Sequence, residues 1–133
     1  MKRFVSGILA LLLVCVVGLT GCSSATPSGL SGDYRQDTLT VIDNLRTAIN
    51  LPQDAPEKPE AQALARQNIN DFSALYRRNT SVERLSSFTT MRTALNSLAG
   101  HYTSYPNRPV PDKLKNRLEV EFGRIESALR REA

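Results

Sequence analysis

Apolar residues recur at three- and four-residue steps in four segments of this chain, which short connections separate. This spacing places the apolar side chains on one face of an α-helix. It predicts helices over about 33–50, 57–78, 81–104 and 111–131. Two of the connections are rich in proline, and no stretch alternates apolar and polar residues for long enough to predict a strand. Four amphipathic helices joined in this way predict an all-α, up-down-up-down four-helix bundle over residues 33–133.

The first 22 residues have the features of a bacterial lipoprotein leader. Lys2 and Arg3 precede an apolar run over residues 4–17, which is too short and wrongly flanked for a membrane-spanning helix. The run is followed by Leu19-Thr20-Gly21-Cys22, which resembles the bacterial lipobox. We therefore expect a signal peptide over 1–21 that is cleaved, and a Cys22 that carries an S-diacylglycerol and an N-acyl group. The alternative is an ordinary signal peptide with an incidental cysteine.

The segment between the leader and the first helix is rich in Ser, Gly and Pro. Residues 22–32 therefore predict a lipidated, flexible tether. Cleavage would remove Lys2 and Arg3 and lower the formal net charge from +4 to +2. So small a charge, spread over both signs, argues against nucleic acid as a partner.

The sequence holds few candidates for catalysis or metal binding. Its single histidine, His101, has tyrosines as its nearest titratable neighbours, and we expect it to pack on Tyr105 or to face a partner. Glu119 and Glu126 share a helix face but lie two turns apart, which is too far to hold one ion, so we expect them to face solvent. Serine-nucleophile motifs and glycine-rich phosphate loops are absent from the sequence. We therefore predict no enzyme activity, no catalytic or metal-binding residue and no cofactor.

Three long segments resemble a known family. They are YRQDTLTVIDNLRTAINLPQDAP (34–56), INDFSALYRR (69–78) and SFTTMRTALNSLAGHYTSYPNRPVPDKLKNRLEVEF (87–122). Together with the lipobox, they are similar to the small lumenal photosystem II assembly lipoproteins of cyanobacteria, the "Psb twenty-seven" family. The similarity extends over nearly all of the chain after Gly32.

The resemblance implies a role in photosystem II assembly and repair. It implies a monomeric four-helix bundle that is lipid-anchored on the lumenal side of the thylakoid membrane and is not an enzyme. Such a protein would bind photosystem II intermediates, chiefly on the lumenal domain of the chlorophyll-binding antenna subunit. It would act before the manganese–calcium–oxide cluster matures and would hinder premature binding of the extrinsic subunits. Two alternatives stay open: a generic envelope lipoprotein with a structural or chaperone role, and a manganese or calcium carrier.

Residue type and the matched segments together suggest where the partner binds. Arginine and aromatic side chains beside a stiff, proline-rich connection are typical of interface anchors. We predict contacts at the corner between the third and fourth predicted helices, through Arg92, Asn96, Tyr105, Arg108 and Lys113. The alternative is an ordinary polar face beside a helix turn.

Overall fold

The structure, a computed structural model, describes residues 26–132 and has five α-helices and no strand in that range. They are α1 (Tyr34–Asn50), α2 (Lys58–Tyr76), the one-turn α3 (Thr80–Glu83), α4 (Ser86–Ser104) and α5 (Asp112–Arg131). The four long helices form a bundle in which α1 lies beside α2 and α5, and α4 lies against the same two helices. The predicted all-α four-helix bundle is confirmed. The predicted leader over 1–21 and the lipid-attachment residue Cys22 lie outside the described residues.

The ends of α1 follow from local chemistry. The Asp33 carboxylate accepts a hydrogen bond from the backbone N–H of Gln36 at 2.9 Å, which satisfies one of the unpaired donors at the helix N-terminus. At the other end, Leu51 is extended because a proline follows it. The Lys58 amine donates to the carbonyl oxygens of Ala48 and Leu51, at 2.5 and 3.1 Å. This places a positive charge at the negative end of the helix dipole.

The core runs along the bundle axis and is built from the predicted helix stripes. Its largest fully buried side chains include Ile42 and Leu45 of α1, Phe72 of α2, Leu98 of α4 and Phe122 of α5. Two leucines of α2 lie outside this core: Leu64 and Leu75 are 38% and 37% exposed.

The third predicted helix, over 81–104, is interrupted in the structure. Leu85 is extended, so the one-turn α3 is separated from α4. The Glu132 carboxylate accepts hydrogen bonds from the Ser87 backbone N–H at 3.2 Å and from the Ser87 hydroxyl at 2.6 Å, and so caps the start of α4. Asn79 accepts a hydrogen bond from the Ser81 backbone N–H at 3.0 Å and is the N-cap of α3.

The predicted flexible tether over 22–32 differs from the structure in its second part. Residues 26–32 are fastened to the bundle: Leu30 is fully buried in the core, and Ser28 donates to the Asp71 carboxylate of α2 through its backbone N–H and its hydroxyl. Gly29 and Gly32 have φ values of +84° and +92°, which favour glycine and turn this segment back on the helices. The Ser-, Gly- and Pro-rich composition of this segment is typical of a linker, but its one leucine, Leu30, anchors residues 26–32 in the core.

Candidate partner-binding surface

The predicted corner contains two residues that the structure brings together at one end of the bundle. Tyr105 and Arg108 are exposed in the connection between α4 and α5, and the Arg108 guanidinium lies 5.4 Å from the centroid of the Tyr105 ring. An arginine over an aromatic face is held by cation–π attraction and presents its outer N–H groups to a partner. Lys113 is exposed in the first turn of α5.

His101 packs against the connection between α4 and α5. Its side chain is buried, its Nε2 lies 3.3 Å from the carbonyl oxygen of Arg108, and its ring centroid lies 5.6 Å from that of Tyr105. As predicted, His101 packs on Tyr105. It has a structural role, because it joins the last turn of α4 to the loop that carries Arg108.

Arg92 and Asn96 lie elsewhere, so the predicted corner is not one surface. Both line a hollow of about 280 Å³ between α2 and α4, whose other walls include Phe72, Arg77 and Phe88. Arg92 precedes Ser104, the last residue of α4, by 12 positions, which is about 18 Å along a helix axis. The sequence stretch that carries the predicted contacts therefore contributes to two separate patches of the surface.

Glu119 and Glu126 face the same side of α5, as predicted, but both pair with one cation. The Arg46 guanidinium of α1 lies 2.8 Å from Glu119 and 2.6 Å from Glu126. The hydrogen bond from Arg46 lowers the pKa of the Glu126 carboxyl below its usual value, against the opposing effect of burial. Both carboxylates lie at the surface, with side chains 54% and 29% exposed, as predicted; what the sequence did not reveal is that they join α5 to α1.

Asp37 is a polar residue whose role the sequence did not reveal. It is 1% exposed, and its carboxylate accepts hydrogen bonds from the backbone N–H groups of Ser31 and Gly32, at 2.8 and 2.9 Å. The hydroxyls of Ser31 and Tyr76 also donate to it, at 2.9 and 2.5 Å. Burial alone would raise the pKa of Asp37, but these four hydrogen bonds outweigh it and lower the pKa. Burial and the bond to Asp37 both raise the pKa of Tyr76.

Clustered metal-ligand side chains and apolar helices of membrane-spanning length are both absent from the described residues. No group of three or more His, Cys, Asp and Glu side chains that could hold a metal ion occurs within residues 26–132. Over the same range, no helix is both long enough and apolar enough to cross a membrane. Most buried polar side chains in this range have hydrogen-bond partners within the fold.

Comparison with known proteins relates this bundle to photosystem II. The family model described as "Photosystem II Pbs27" matches residues 7–129. The chain is 59% identical over 133 residues to the "Photosystem II assembly factor lipoprotein Psb27" of Thermosynechococcus vestitus, with 100% of this chain and 98% of that protein covered.

The chain belongs to the Psb27 family.

A more distant member of the Psb27 family and a solved structure extend the comparison. The chain is 34% identical over 100 residues to the "Photosystem II repair protein PSB27-H1, chloroplastic" of Arabidopsis thaliana, which covers 74% of this chain and 58% of that protein. The solution structure of Psb27 from cyanobacterial photosystem II is similar with a TM-score of 0.75 at 56% identity, covering 84% of this chain and 96% of that one. The Psb27 fold is thus the bundle described above.

Proposed function

We propose that this chain is a non-catalytic factor that binds photosystem II intermediates during assembly and repair. The similarity over the whole chain to a photosystem II assembly factor lipoprotein carries the proposal. The name of the Arabidopsis relative supports the repair role. The geometry supports binding over chemistry, because the polar groups that a catalyst would need have structural partners: Asp37 holds residues 31 and 32, and Arg46 holds α5.

The finer part of the proposal concerns the partner and the timing. A monomeric bundle would contact chiefly the lumenal domain of the chlorophyll-binding antenna subunit, before the manganese–calcium–oxide cluster matures. Its volume would then hinder premature binding of extrinsic subunits. The exposed patch of Tyr105, Arg108 and Lys113 and the hollow that holds Arg92 and Asn96 supply two candidate contact areas. Arginine and tyrosine are enriched among the residues that dominate interface energies.

Lipidation of Cys22 would place the bundle on the lumenal face of the thylakoid membrane. Because Thr26 is already hydrogen-bonded to Leu30 in the folded segment, only four residue steps separate Cys22 from the bundle. Four steps of extended chain span at most about 14 Å. The bundle would therefore stay close to the membrane, where the anchor raises its effective concentration beside a membrane-embedded partner.

An affinity pull-down of the tagged mature protein from solubilised thylakoids tests the proposed function. We expect it to recover photosystem II that lacks the extrinsic subunits and does not evolve oxygen. Recovery of only fully active complexes would indicate a structural subunit instead. Recovery without any photosystem II would favour the generic envelope lipoprotein, and tight manganese or calcium binding in a titration would favour the metal carrier.

A Cys22→Ser variant tests the anchor separately. Without the thiol, neither diacylglyceryl transfer nor N-terminal acylation at this position can occur. We expect the variant to shift from the membrane to the soluble fraction of a thylakoid preparation, while the purified variant keeps the unfolding midpoint of the unlipidated mature chain. The variant carries a leader whose cleavage does not need a lipidated cysteine, so that residues 4–17 are removed. Its retention in washed membranes would then contradict lipid anchoring at Cys22.

A further inference from the structure

Three hollows follow one another along α2, two of them where it meets α4 and one where it meets the connection that follows α4. The first lies near the N-terminus of α2 and measures about 350 Å³, the second lies midway and measures about 240 Å³, and the third is the hollow of about 280 Å³ that holds Arg92 and Asn96. Arg66 lines both the first and the second hollow, so these two are adjacent. We name the three together the α2–α4 furrow.

The charged side chains that line this furrow are all positive. Arg66, Arg77 and Arg92 are among the residues that line it, and none of the lining residues is Asp or Glu. All three arginines are exposed. The ion pairs found among residues 26–132 involve other arginines, Arg46 and Arg117. The furrow therefore presents cationic groups that the fold itself does not neutralise with a carboxylate.

The furrow also offers groups that suit a polypeptide backbone. Asn70 lines the middle hollow and Asn96 the third one, and an amide side chain both donates and accepts hydrogen bonds. The Arg66 guanidinium lies 5.2 Å from the centroid of the buried Tyr102 ring, which holds it over an apolar floor. A phosphate headgroup needs donors only, and a flat membrane surface does not enter a concave furrow. The combination favours an acidic peptide over a lipid.

We propose that the α2–α4 furrow is the docking surface for an extended, acidic polypeptide segment of the photosystem II partner. This inference rests on the proposed function. Arg66 and Arg77 lie 11 residues apart along α2, which is about 16 Å along a helix axis. An extended chain advances about 3.3 Å per residue, so carboxylates about five residues apart in the partner would reach both arginines. The docked segment is thus a loop with two spaced acidic residues.

Charge reversal with a matched control tests the furrow. One variant carries Arg66→Glu, Arg77→Glu and Arg92→Glu, and the control carries Arg35→Glu, Arg84→Glu and Arg124→Glu, three exposed arginines that do not line the furrow. Both variants change the net charge equally. We expect the furrow variant to raise the Kd for isolated photosystem II intermediates by about tenfold or more, and the control by less than about threefold. Equal losses in both variants would show a net-charge effect and would overturn the proposal.

Two further outcomes separate the furrow from the proposed function. If the unmodified protein binds and the furrow variant binds equally well, the proposed function stands and the furrow is wrong. In that case loss of binding by Arg108→Glu with Lys113→Glu would locate the contact at the end of the bundle instead. Circular dichroism and denaturation midpoints of both triple variants check that each one is folded.

A second measurement does not depend on photosystem II. A synthetic peptide with two glutamates five residues apart is titrated into the unlipidated mature chain, Cys22→Ser, and backbone amide shifts are followed by NMR. We expect shifts clustered at residues 66–77 and 92–103, and no such cluster with a glutamine version of the peptide. Shifts elsewhere, or none, would overturn the proposal. Binding of phosphatidylglycerol vesicles that the furrow variant abolishes, without any peptide shifts, would assign the furrow to lipid headgroups instead.

Discussion

Two polar clusters join α1 to its surroundings, and they differ chiefly in burial. At the N-terminal end of α1, the Asp37 carboxylate is 1% exposed and accepts four hydrogen bonds. Nearer the C-terminal end, Arg46 bridges Glu119 and Glu126, and the side chains of these three residues are 27%, 54% and 29% exposed. A buried charge is costly without its partners, whereas water replaces the partners of an exposed charge. The same kind of chemistry should therefore matter far more at Asp37 than at Arg46.

Removal of the buried Asp37 carboxylate is expected to have the largest effect on the free energy of unfolding. Asp37→Ala leaves two backbone N–H groups and the Tyr76 hydroxyl without their acceptor. Each unsatisfied buried group costs about 1–3 kcal/mol. Because Ser31 and Gly32 are exposed residues that water can reach, we expect the lower end of that range, a loss of about 3 kcal/mol and a fall in Tm of about 12–24 °C. Urea and thermal denaturation of the mature chain measure both quantities.

A control variant on the same helix tests whether burial of the carboxylate causes this loss of stability. Asp43→Ala removes an exposed carboxylate from the same helix, and we expect it to change stability by less than about 0.5 kcal/mol. A loss of similar size in the two variants would contradict the role of burial. Amide exchange at residues 26–32 should also quicken in Asp37→Ala and not in Asp43→Ala, because Asp37 holds Ser31 and Gly32.

The second largest effect is expected in the pH dependence of folding stability, and its cause is the buried carboxylate of Asp37. Because hydrogen bonds lower the pKa of folded Asp37, the unfolded chain binds a proton more readily than the folded one. The stabilisation by Asp37 is therefore fully present above the unfolded pKa of about 3.9 and is lost as the pH falls through the folded pKa. We expect the stability difference between the native protein and Asp37→Asn to stay constant from about pH 7 to about pH 5 and to narrow as the pH falls below about 4. Urea midpoints across this range measure it, and a difference that is constant throughout the range would contradict it.

The fold was largely predictable because its main signal is local. The apolar period located α1, α2 and α5 to within a few residues. The ends of α1 also depend on local chemistry, at Asp33 and at the Leu51–Pro52 step. The break before α4 was not predictable, since Val82, Leu85 and Phe88 continue the three-residue spacing through it. The group that caps α4 there is Glu132, 45 residues away from Ser87.

The surface was less predictable because it depends on which helices become neighbours. Arg92 and Asn96 were identified by residue type, but their hollow forms only where α4 meets α2 and brings Arg77 beside them. The pairing of Arg46 with two glutamates, and of Asp37 with Tyr76, likewise joins residues that are 39 to 80 positions apart. A single sequence has no signal for such pairs.

Removal of the exposed bridge should have a smaller effect than removal of Asp37. Arg46→Met keeps an unbranched apolar stem near the Phe122 ring, which the guanidinium approaches to 5.6 Å, but removes both ion pairs. Exposed pairs contribute about 0.2–1 kcal/mol each, so we expect a loss of about 1 kcal/mol, reduced in about 1 M salt. Arg35→Met, at an exposed arginine of the same helix, is the control. A loss as large as that of Asp37→Ala would show that burial does not separate the two clusters.

The smallest effect on stability is expected within the Arg46 bridge, as a difference between its two glutamate partners. Arg46 Nη2 reaches both carboxylates at similar distances, 2.8 Å to Glu119 and 2.6 Å to Glu126, but the Glu119 side chain is about twice as exposed as that of Glu126. If exposure decides the strength of a pair, Glu119→Gln should cost no more than about 0.3 kcal/mol and Glu126→Gln about 0.5–1 kcal/mol. Urea midpoints at low salt measure both losses, and the difference should shrink in about 1 M salt because screening weakens both pairs. Equal losses would mean that the distance to Arg46 governs this bridge, and the contrast drawn between Asp37 and Arg46 would then need a cause other than burial.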